Sequence, residues 1–465
     1  MVSVASATGE LLGALNGIVR VNEGTVSVDP EHLDAAHVDR LAWASTFGSD
    51  QVKQAARWLI RELAAAKGIL PASIQEAYAA RGRGEWKGVT VPAINARGLA
   101  YHEARAAYRA AKKMDGGLVV VELARSEMGY IRMPPAEFAP IIIAAALAEA
   151  WGGPVFIQGD HFQVDKKKWS ADPDPEVNAI KALIDEAISS GFFNIDIDSS
   201  TLVDLSFPDL DSQQRPNYEV AAELTAYVRE HELPGNEISV GGEIGEVGKS
   251  NSTVGELRAY MEGFQKRLQE RGGYKGPSKV SVQSGTSHGG VVLADGTVAK
   301  VKLDFGTLRE LSTVAREEYG MAGAVQHGAS TLPDEMFNKF PDTGTCEIHL
   351  ATGFQNLVLD SEHFSGDLRD KMYDWLREQF EQESDETEQQ FYYRQRKRAW
   401  GPFKQEIWDL PAERMGPIEE ALEKKFEFLF EQLGVPGTRE IVEGYIKPRK
   451  VEIEAPRALL QSYAS

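Results

Sequence analysis

Short apolar, often β-branched runs alternate with longer segments of helical periodicity through the middle of the chain. This alternation is typical of parallel strands joined by right-handed crossovers. Eight repeats within roughly 290 residues predict an α/β fold, a closed (β/α)8 or TIM barrel, rather than an open sheet. We expect strands near residues 89–95, 117–123, 154–160, 193–198, 237–243, 278–284, 321–327 and 345–350, and helices that include 100–113, 137–151, 176–190 and 218–232.

The segments on either side of the eight units have a different pattern. Residues 1–85 are predicted to form a helical N-terminal extension, because 39–67 carries Ala, Leu, Arg and Trp at helical spacing. Residues 86–360 are assigned to the catalytic barrel. Residues 361–465 are predicted to be a charged C-terminal helical region that packs on the barrel or at a subunit interface. Residues 208–216 are interpreted as a polar loop within the fourth unit.

Composition narrows the class of protein. The net charge of −20 argues against a nucleic-acid or membrane-surface role, since both need an extended basic face. The single cysteine excludes intrachain disulfides and fits a reducing compartment. The first residues lack a signal-peptide pattern, and no apolar run approaches the length of a membrane span. We therefore expect a cytoplasmic protein.

Three of the predicted strands end in a histidine beside small residues, namely His161, His288 and His327. In a barrel of this kind the C-terminal strand ends meet at one face, so histidines distant in sequence can converge there. Three imidazoles with an open fourth position suit a catalytic zinc, although cobalt, manganese and iron stay open by ligand type. Any one strand-end histidine could instead be structural.

Carboxylates accompany these histidines. Asp160 directly precedes His161, and a carboxylate next to a metal suits general acid–base catalysis. The alternative is that Asp160 only orients a ligand histidine. Asp198 and Glu243 end two other strands and are interpreted as ligands in a second or alternative metal position, or else as structural hydrogen-bond acceptors.

Small-residue loops follow the last strands and indicate an anion site. Barrels often bind phosphate with the loops after the seventh and eighth strands, through backbone N–H groups that small residues leave accessible. The same residues also make ordinary tight turns. The basic cluster at 394–398 has two interpretations as well, a solvated helix face at a subunit contact or a direct contact with a phosphate. The loop residues concerned are Gly289, Gly328, Ala329, Ser330 and 351–353.

Taken in order, the motifs VPAIN, QGDH, IDIDSS, GGEIG, GTSHGG, VQHGAS and EIHLATG resemble the class II, metal-dependent fructose-bisphosphate aldolase family. The resemblance covers roughly residues 87–355. It implies that the three strand-end histidines hold the catalytic metal, that Asp198 and Glu243 match the second metal position, and that Asp160 is the catalytic acid–base. The expected substrate contacts are Asn95, Gly289, Gly328, Ala329, Ser330, His349 and Thr352.

The resemblance implies a zinc-dependent aldolase that reversibly cleaves fructose 1,6-bisphosphate to dihydroxyacetone phosphate and glyceraldehyde 3-phosphate. It also implies a sugar phosphate as the small-molecule partner, a homo-oligomer, and room for a second metal ion or a monovalent cation. Three alternatives are another ketose phosphate such as tagatose 1,6-bisphosphate, a non-catalytic barrel, and a metal-dependent hydrolase. Barrel hydrolases commonly carry a His-x-His pair, which this sequence lacks.

Several positions depart from the family pattern. In the last strand His349 and Ala351 stand where asparagine and aspartate are usual, and Thr331 replaces a loop glycine. These departures indicate that phosphate recognition has been rebuilt. Ala124 stands in place of a serine, Glu246 is the nearest carboxylate after Glu243, and the candidate replacements for phosphate binding are Arg97, Arg125 and Lys302.

Overall fold

Eight parallel strands form a closed barrel in this computed structural model, which describes residues 8–22, 25–245, 250–285, 293 and 303–461. The barrel strands follow chain order, and β10 closes the sheet by pairing with β3. The predicted TIM barrel is therefore confirmed. The strands are β1 Val19–Asn22, β2 Thr25–Val28, β3 Val91–Asn95, β4 Val120–Ala124, β5 Phe156–Gln163, β6 Asn194–Asp198, β7 Ser239–Glu243, β8 Lys279–Val282, β9 Ala324–Gln326 and β10 Glu347–Leu350.

Helices surround the barrel and make up most of both flanking segments. They are α1 Thr8–Ala14, α2 Ala35–Phe47, α3 Asp50–Ala66, α4 Gln75–Gly82, α5 Ala100–Lys113, α6 Arg125–Tyr130, α7 Pro135–Ala148, α8 Lys166–Ala171, α9 Pro173–Ser190, α10 Leu210–His231, α11 Val254–Glu270, α12 Phe305–Tyr319, α13 Phe340–Thr343, α14 Thr352–Leu359, α15 Gly366–Gln379, α16 Glu388–Gln395, α17 Lys404–Trp408, α18 Ala412–Gln432, α19 Arg439–Tyr445 and α20 Arg457–Gln461. Short 3₁₀ turns lie at Pro30–His32, Ser200–Leu202, Asp334–Lys339 and Arg396–Ala399.

Three elements differ from the prediction. The N-terminal segment is not all helical, because β1 and β2 form an antiparallel hairpin whose short, β-branched runs favour strands. The predicted loop 208–216 is mostly helix, since Asp209 accepts a hydrogen bond from the Ser212 amide at 2.8 Å and so caps the start of α10. Strand β5 extends to Gln163, beyond the predicted end at residue 160, so His161 lies inside the strand and not at its end.

The C-terminal region is tied to the barrel by ion pairs between α18 and α5. Arg109 on α5 lies 3.0 Å from Glu419 and 2.6 Å from Glu423, both on α18. The same guanidinium also lies 2.9 Å from Glu149, directly after α7. This half-buried network holds α18 against the outer ring of helices. The division of the chain at residues 85 and 360 stays a prediction.

Helix α4 closes the end of the barrel opposite the strand C-termini. Tyr78 is fully buried and donates a hydrogen bond to Glu347 of β10. The buried Arg81 guanidinium donates to the carbonyls of Ala322 and Thr345, which precede β9 and β10. These contacts close the N-terminal end of the barrel next to β9 and β10. In the described part of the chain, no helix combines the length and apolar character needed to cross a lipid bilayer.

Candidate metal and substrate site

Strand side chains alternate between the two faces of the sheet, so every second residue of a barrel strand points to the inside. Several of these inward-pointing side chains are polar. Asp160 of β5 and His349 of β10 are both 5% exposed, and they meet with His349 Nδ1 3.2 Å from Asp160 Oδ1. Glu122 of β4, which the sequence analysis did not single out, lies 3.1 Å from the same nitrogen. The C-terminal mouth of the barrel is thus lined by groups that can ligate metals or transfer protons.

His161 has an unusual backbone conformation that sets the direction of its side chain. Its φ of +39° lies in the left-handed region, and the register of β5 against β6 shifts between Gly159 and Phe162. Such a bulge re-aims a side chain and is common next to active sites. It leaves the imidazole Nδ1 3.0 Å from Asp198 and 3.1 Å from Glu243.

The predicted ligands His161 and His327 are brought together. Their ring centroids are 4.2 Å apart, and His161, His327 and Asp160 offer donor atoms that all lie within 4.8 Å of one another. The Ser281 Oγ of β8 lies 2.9 Å from His327 Nε2, where it can fix the orientation of the imidazole ring. The third predicted ligand, His288, lies outside the described residues.

The predicted second metal position is also assembled, from His161, Asp198 and Glu243. Burial and the nearby Asp198 raise the pKa of Glu243 to about 7. Burial opposes ionisation of Asp198 as well, but hydrogen bonds from His161 and Ser200 lower the pKa of that carboxyl. The two carboxylates therefore differ in their readiness to ionise. Asp198 accepts hydrogen bonds from Ser200 and Gln163 as well as from His161, whereas Glu243 faces the negative charges of Asp198 and Asp160.

A buried charged cluster lies beneath this site. Lys279 of β8, which is 1% exposed, pairs with Glu347, and its Nζ lies 3.0 Å from Asp196. Gln158 accepts from the same ammonium at 2.7 Å. These residues were missed in the sequence analysis. The available signal was a charged residue at an otherwise apolar strand position, as in the runs that contain Lys279, Glu122 and Glu347.

The other end of the site holds two cationic side chains, Arg97 and Lys397, beside the carboxylate of Glu127. Arg97, which is 8% exposed, donates to Glu127 and to Thr352 Oγ1, both at 2.8 Å. The side-chain amide of Asn95, at the end of β3, donates a hydrogen bond to the same Glu127 carboxylate at 2.7 Å. Arg97 Nε has no hydrogen-bond partner within the described residues and is buried. Burial and the nearby Arg97 lower the pKa of Lys397.

A cavity of about 1320 Å³ joins the two ends. Its walls come from the barrel mouth, from the lysines of α8, and from C-terminal residues between 383 and 397. The basic cluster at 394–398 divides: Arg394 and Lys397 line the cavity, whereas Arg396 pairs with Asp360 at 2.6 Å. Arg398 lies over the Phe380 ring, 4.9 Å from its centroid. The C-terminal region therefore forms part of the site.

The predicted phosphate loops are partly described. Gly328, Ser330 and Thr352 line the cavity, and Ala329 is fully buried behind them. Gly328 has a φ of +69°, which favours glycine, and Ser330 Oγ accepts a hydrogen bond from the Ala351 amide at 2.6 Å. Of the remaining candidates, Arg125 pairs with Glu176, while Gly289, Glu246 and Lys302 lie outside the described residues.

Comparison with known proteins shows which family the sequence matches. A family model described as fructose-bisphosphate aldolase class-II matches residues 82–399. No curated protein matches the chain. Among solved structures, a glycerol complex of fructuronate-tagaturonate epimerase from Cohnella laeviribosi is 12% identical with a TM-score of 0.55, and the match covers 92% of this chain and 90% of that one.

Two further solved structures are similar. A probable tagatose 6 phosphate kinase from Sinorhizobium meliloti 1021 is 16% identical with a TM-score of 0.50, covering 81% of this chain and 97% of that one. Fructose-bisphosphate aldolase from Campylobacter jejuni is 17% identical with a TM-score of 0.46, covering 79% and 97%. At these identities the structural likeness supports the fold alone. The family model, however, spans well over half of the sequence, and the chain belongs to the fructose-bisphosphate aldolase class-II family.

Proposed function

We propose that this chain is a metal-dependent aldolase that reversibly cleaves a ketose phosphate, with fructose 1,6-bisphosphate as the substrate and zinc as the metal. The observation that carries the proposal is the buried group of Asp160, His161 and His327, which opens onto the large cavity at the barrel mouth. Membership in the aldolase family supports the reaction type. Family membership alone does not specify fructose 1,6-bisphosphate or zinc, so both are part of this proposal.

The donor set fits a divalent metal ion. Two imidazoles and a carboxylate within 4.8 Å of one another are ligands that zinc accepts, and His161 and His327 would hold the ion. When bound there, such an ion supplies Lewis-acid polarisation of the substrate carbonyl. Ser281 and the bulge in β5 orient the two imidazoles independently of any ion.

We assign Asp160 as the general base for cleavage. The carboxylate is buried, lines the cavity, and has Oδ1 3.7 Å from His161 Nε2. As the bond between C3 and C4 of the ketose breaks, Asp160 accepts the proton of the C4 hydroxyl, whose oxygen becomes the aldehyde of glyceraldehyde 3-phosphate. In the condensation direction the same carboxyl returns the proton. The other fragment takes up a proton and leaves as dihydroxyacetone phosphate.

The charged lining of the cavity supports an anionic substrate. Arg97 and Lys397 line this cavity together with the small residues Gly328 and Ser330 of the loop after β9. Cationic side chains and backbone N–H groups of small-residue loops both suit the phosphate groups of a substrate. We assign Lys397 and the Nε atom of Arg97 to one phosphate and the loop after β9 to the other.

One observation favours a second candidate, an epimerase that cleaves and rejoins the same carbon–carbon bond. C-terminal residues between 383 and 397 line the cavity. A cavity enclosed in this way would retain both fragments between cleavage and rejoining of the bond. The structure of fructuronate-tagaturonate epimerase, which matches 92% of this chain, has a similar overall fold. The two candidates differ in whether the fragments leave the enzyme.

The deciding experiment is a coupled assay of triose phosphate release from fructose 1,6-bisphosphate, before and after chelation and zinc return. An aldolase loses turnover with chelator and regains it with zinc. A panel with tagatose 1,6-bisphosphate and the corresponding uronates then assigns the hydroxyl stereochemistry and the anionic group. Conversion of one six-carbon sugar into its epimer without triose release would replace the aldolase proposal by the epimerase. A metal-loaded protein that converts none of these compounds would contradict both.

A further inference from the structure

We propose a further divalent-cation site in the barrel mouth, held by Glu122, Asp160 and His349. It lies next to the ion that the proposed function assigns to His161 and His327, and it is separate from the position formed by His161, Asp198 and Glu243. The ligand class is a divalent transition ion such as Mn²⁺ or Zn²⁺, because one imidazole and two carboxylates suit both. The inference rests on the proposed function only for the neighbouring ion. Asp160 would be a ligand of this ion through Oδ1, which faces His349, and would transfer the C4 hydroxyl proton through its other carboxylate oxygen.

The three donors converge from three separate strands. His349 Nδ1 of β10 lies 3.1 Å from Glu122 Oε2 of β4 and 3.2 Å from Asp160 Oδ1 of β5. Ligand atoms of one metal ion are commonly about 3 Å apart when the ligand bonds are about 2.0–2.2 Å long. The donor atoms also all lie within 4.8 Å of one another. The spacing therefore suits a single bound ion.

The orientation of His349 also supports a ligand role. Its other ring nitrogen, Nε2, lies 2.7 Å from Glu347 Oε1, and Glu347 in turn pairs with Lys279. A histidine that binds a metal through one nitrogen usually donates the N–H of the other to a carboxylate. With Nε2–H donated to Glu347, the lone pair of Nδ1 points at two carboxylate oxygens. That arrangement is repulsive unless a cation or a further proton lies between them.

The surrounding charge is strongly unbalanced. Around His349 lie Glu122, Asp160, Asp196 and Glu347, and the ammonium of Lys279 is the cation that pairs with two of these carboxylates. Buried carboxylates without compensating charge are unfavourable, and a divalent ion would offset two of them. Glu122 is fully buried, and its Oε1 has no hydrogen-bond partner within the described residues. That oxygen is available as a further ligand.

The site is close to the first one and accessible from the cavity. Glu122, Asp160 and His349 all line the cavity, so an ion can reach them from the barrel mouth. The His349 and His327 ring centroids are 4.1 Å apart, which makes the two sites immediate neighbours. In two-metal sites the ions lie about 3.5–4 Å apart and together clamp the substrate oxygens.

The test is metal stoichiometry of the full chain, which does not depend on activity. The protein is stripped with a chelator, reloaded with Mn²⁺ or Zn²⁺, passed through gel filtration and measured by inductively coupled plasma mass spectrometry. We expect Glu122→Gln and His349→Asn each to bind one ion fewer than the wild-type chain. The matched control is Glu103→Gln, another buried glutamate, which lies on α5 outside the cluster and should bind as many ions as the wild type. With Mn²⁺, electron paramagnetic resonance should show coupled spins in the wild type and an isolated ion in the two variants.

Circular dichroism of each variant verifies folding, and His349→Gln replaces any variant that does not fold. One ion in the wild type, unchanged in Glu122→Gln, would overturn the inference and assign an imidazolium at His349 to the carboxylates. An ion count equal to that of the wild type in both ligand variants would overturn it as well. Loss of one ion in both ligand variants, in a protein without any aldolase turnover, would leave this site standing and overturn only the proposed function. Full aldolase turnover with an unchanged ion count in both variants would overturn this inference and leave the proposed function standing.

Discussion

The two ends of the active-site cavity are built from different parts of the chain. The metal end is made by barrel strands, with Asp160, Glu122 and His349 at 5% exposure or less. The cationic end combines Arg97, just after β3, with Lys397 from the C-terminal region. The Lys397 side chain is only half buried. Rigid strands hold the groups that would perform chemistry, whereas connections and a separate helical region supply the groups that would select the substrate. Each end can be altered without the other, and that separation can be tested.

The largest expected effect comes from removing a histidine at the metal end. His327→Ala should lose the first metal ion and lower kcat/KM by about 10³-fold or more, since Lewis-acid stabilisation is worth several kcal/mol. Metal content and triose phosphate release are measured on the same sample. His363→Ala, at an exposed position, is the control and should change neither. A fully active, metal-loaded His327→Ala would remove this residue from the ligand set.

Asp160→Asn should lower kcat by about 10²–10⁴-fold, the range expected for loss of a general acid–base. The ion held by His161 and His327 should remain, because the amide keeps the shape of the carboxylate. Single-turnover kinetics with fructose 1,6-bisphosphate measure the chemical step directly. Asp165→Asn, which also removes a carboxylate from the cavity wall, is the control. Unchanged turnover would leave Asp160 with an orienting role only.

Lys279→Met tests the charged cluster beneath the metal end. The substitution leaves Glu347 and Asp196 without their cation, and breaking a buried pair in this way costs about 3–5 kcal/mol in the free energy of unfolding. Denaturant unfolding of the metal-free protein measures this loss. Lys275→Met removes an exposed pair with Glu237 and should cost no more than about 1 kcal/mol. Equal stabilities of the two variants would mean that the buried carboxylates are already neutral.

Lys397→Met acts on the other end of the cavity. Loss of one charged hydrogen bond to a phosphate, worth about 1.5–3 kcal/mol, should raise KM by about 10–100-fold and leave kcat nearly unchanged. Steady-state kinetics separate the two constants. Arg398→Met is the matched control, because Arg398 lies over Phe380 and does not line the cavity. A fall in kcat with constant KM would move Lys397 from binding to catalysis.

The smallest expected effect is a pH dependence of KM. Burial and Arg97 lower the pKa of Lys397, so its positive charge is lost at a lower pH than that of an ordinary lysine. A lysine binds an anion in its protonated form, and KM should therefore rise as pH increases through this pKa. Lys397→Arg keeps its charge over the same range and should flatten the profile. An identical rise in that variant would assign the effect to another group.

Much of the fold was determined by local pattern. Short apolar runs, the helical segments between them and their number were sufficient for the barrel, because each depends on residues close in sequence. The hairpin at β1 and β2 and the cap of α10 at Asp209 were missed, since the signals are short and compete with helical neighbours. Strand-end histidines and their neighbouring carboxylates were found because strand C-termini must meet at one face of a barrel.

The sequence by itself therefore determined the strand order, the candidate ligands His161 and His327, and the family. Only the tertiary structure decided which charges meet across the barrel. Glu122, Lys279 and Glu347 are single charged residues in apolar strands, and their mutual contacts depend on the closed order and the registers of strands far apart in the chain. The place of Lys397 in the cavity wall likewise depends on how the 3₁₀ turn Arg396–Ala399 packs on α6, α15 and α16. Local periodicity does not encode contacts over such separations.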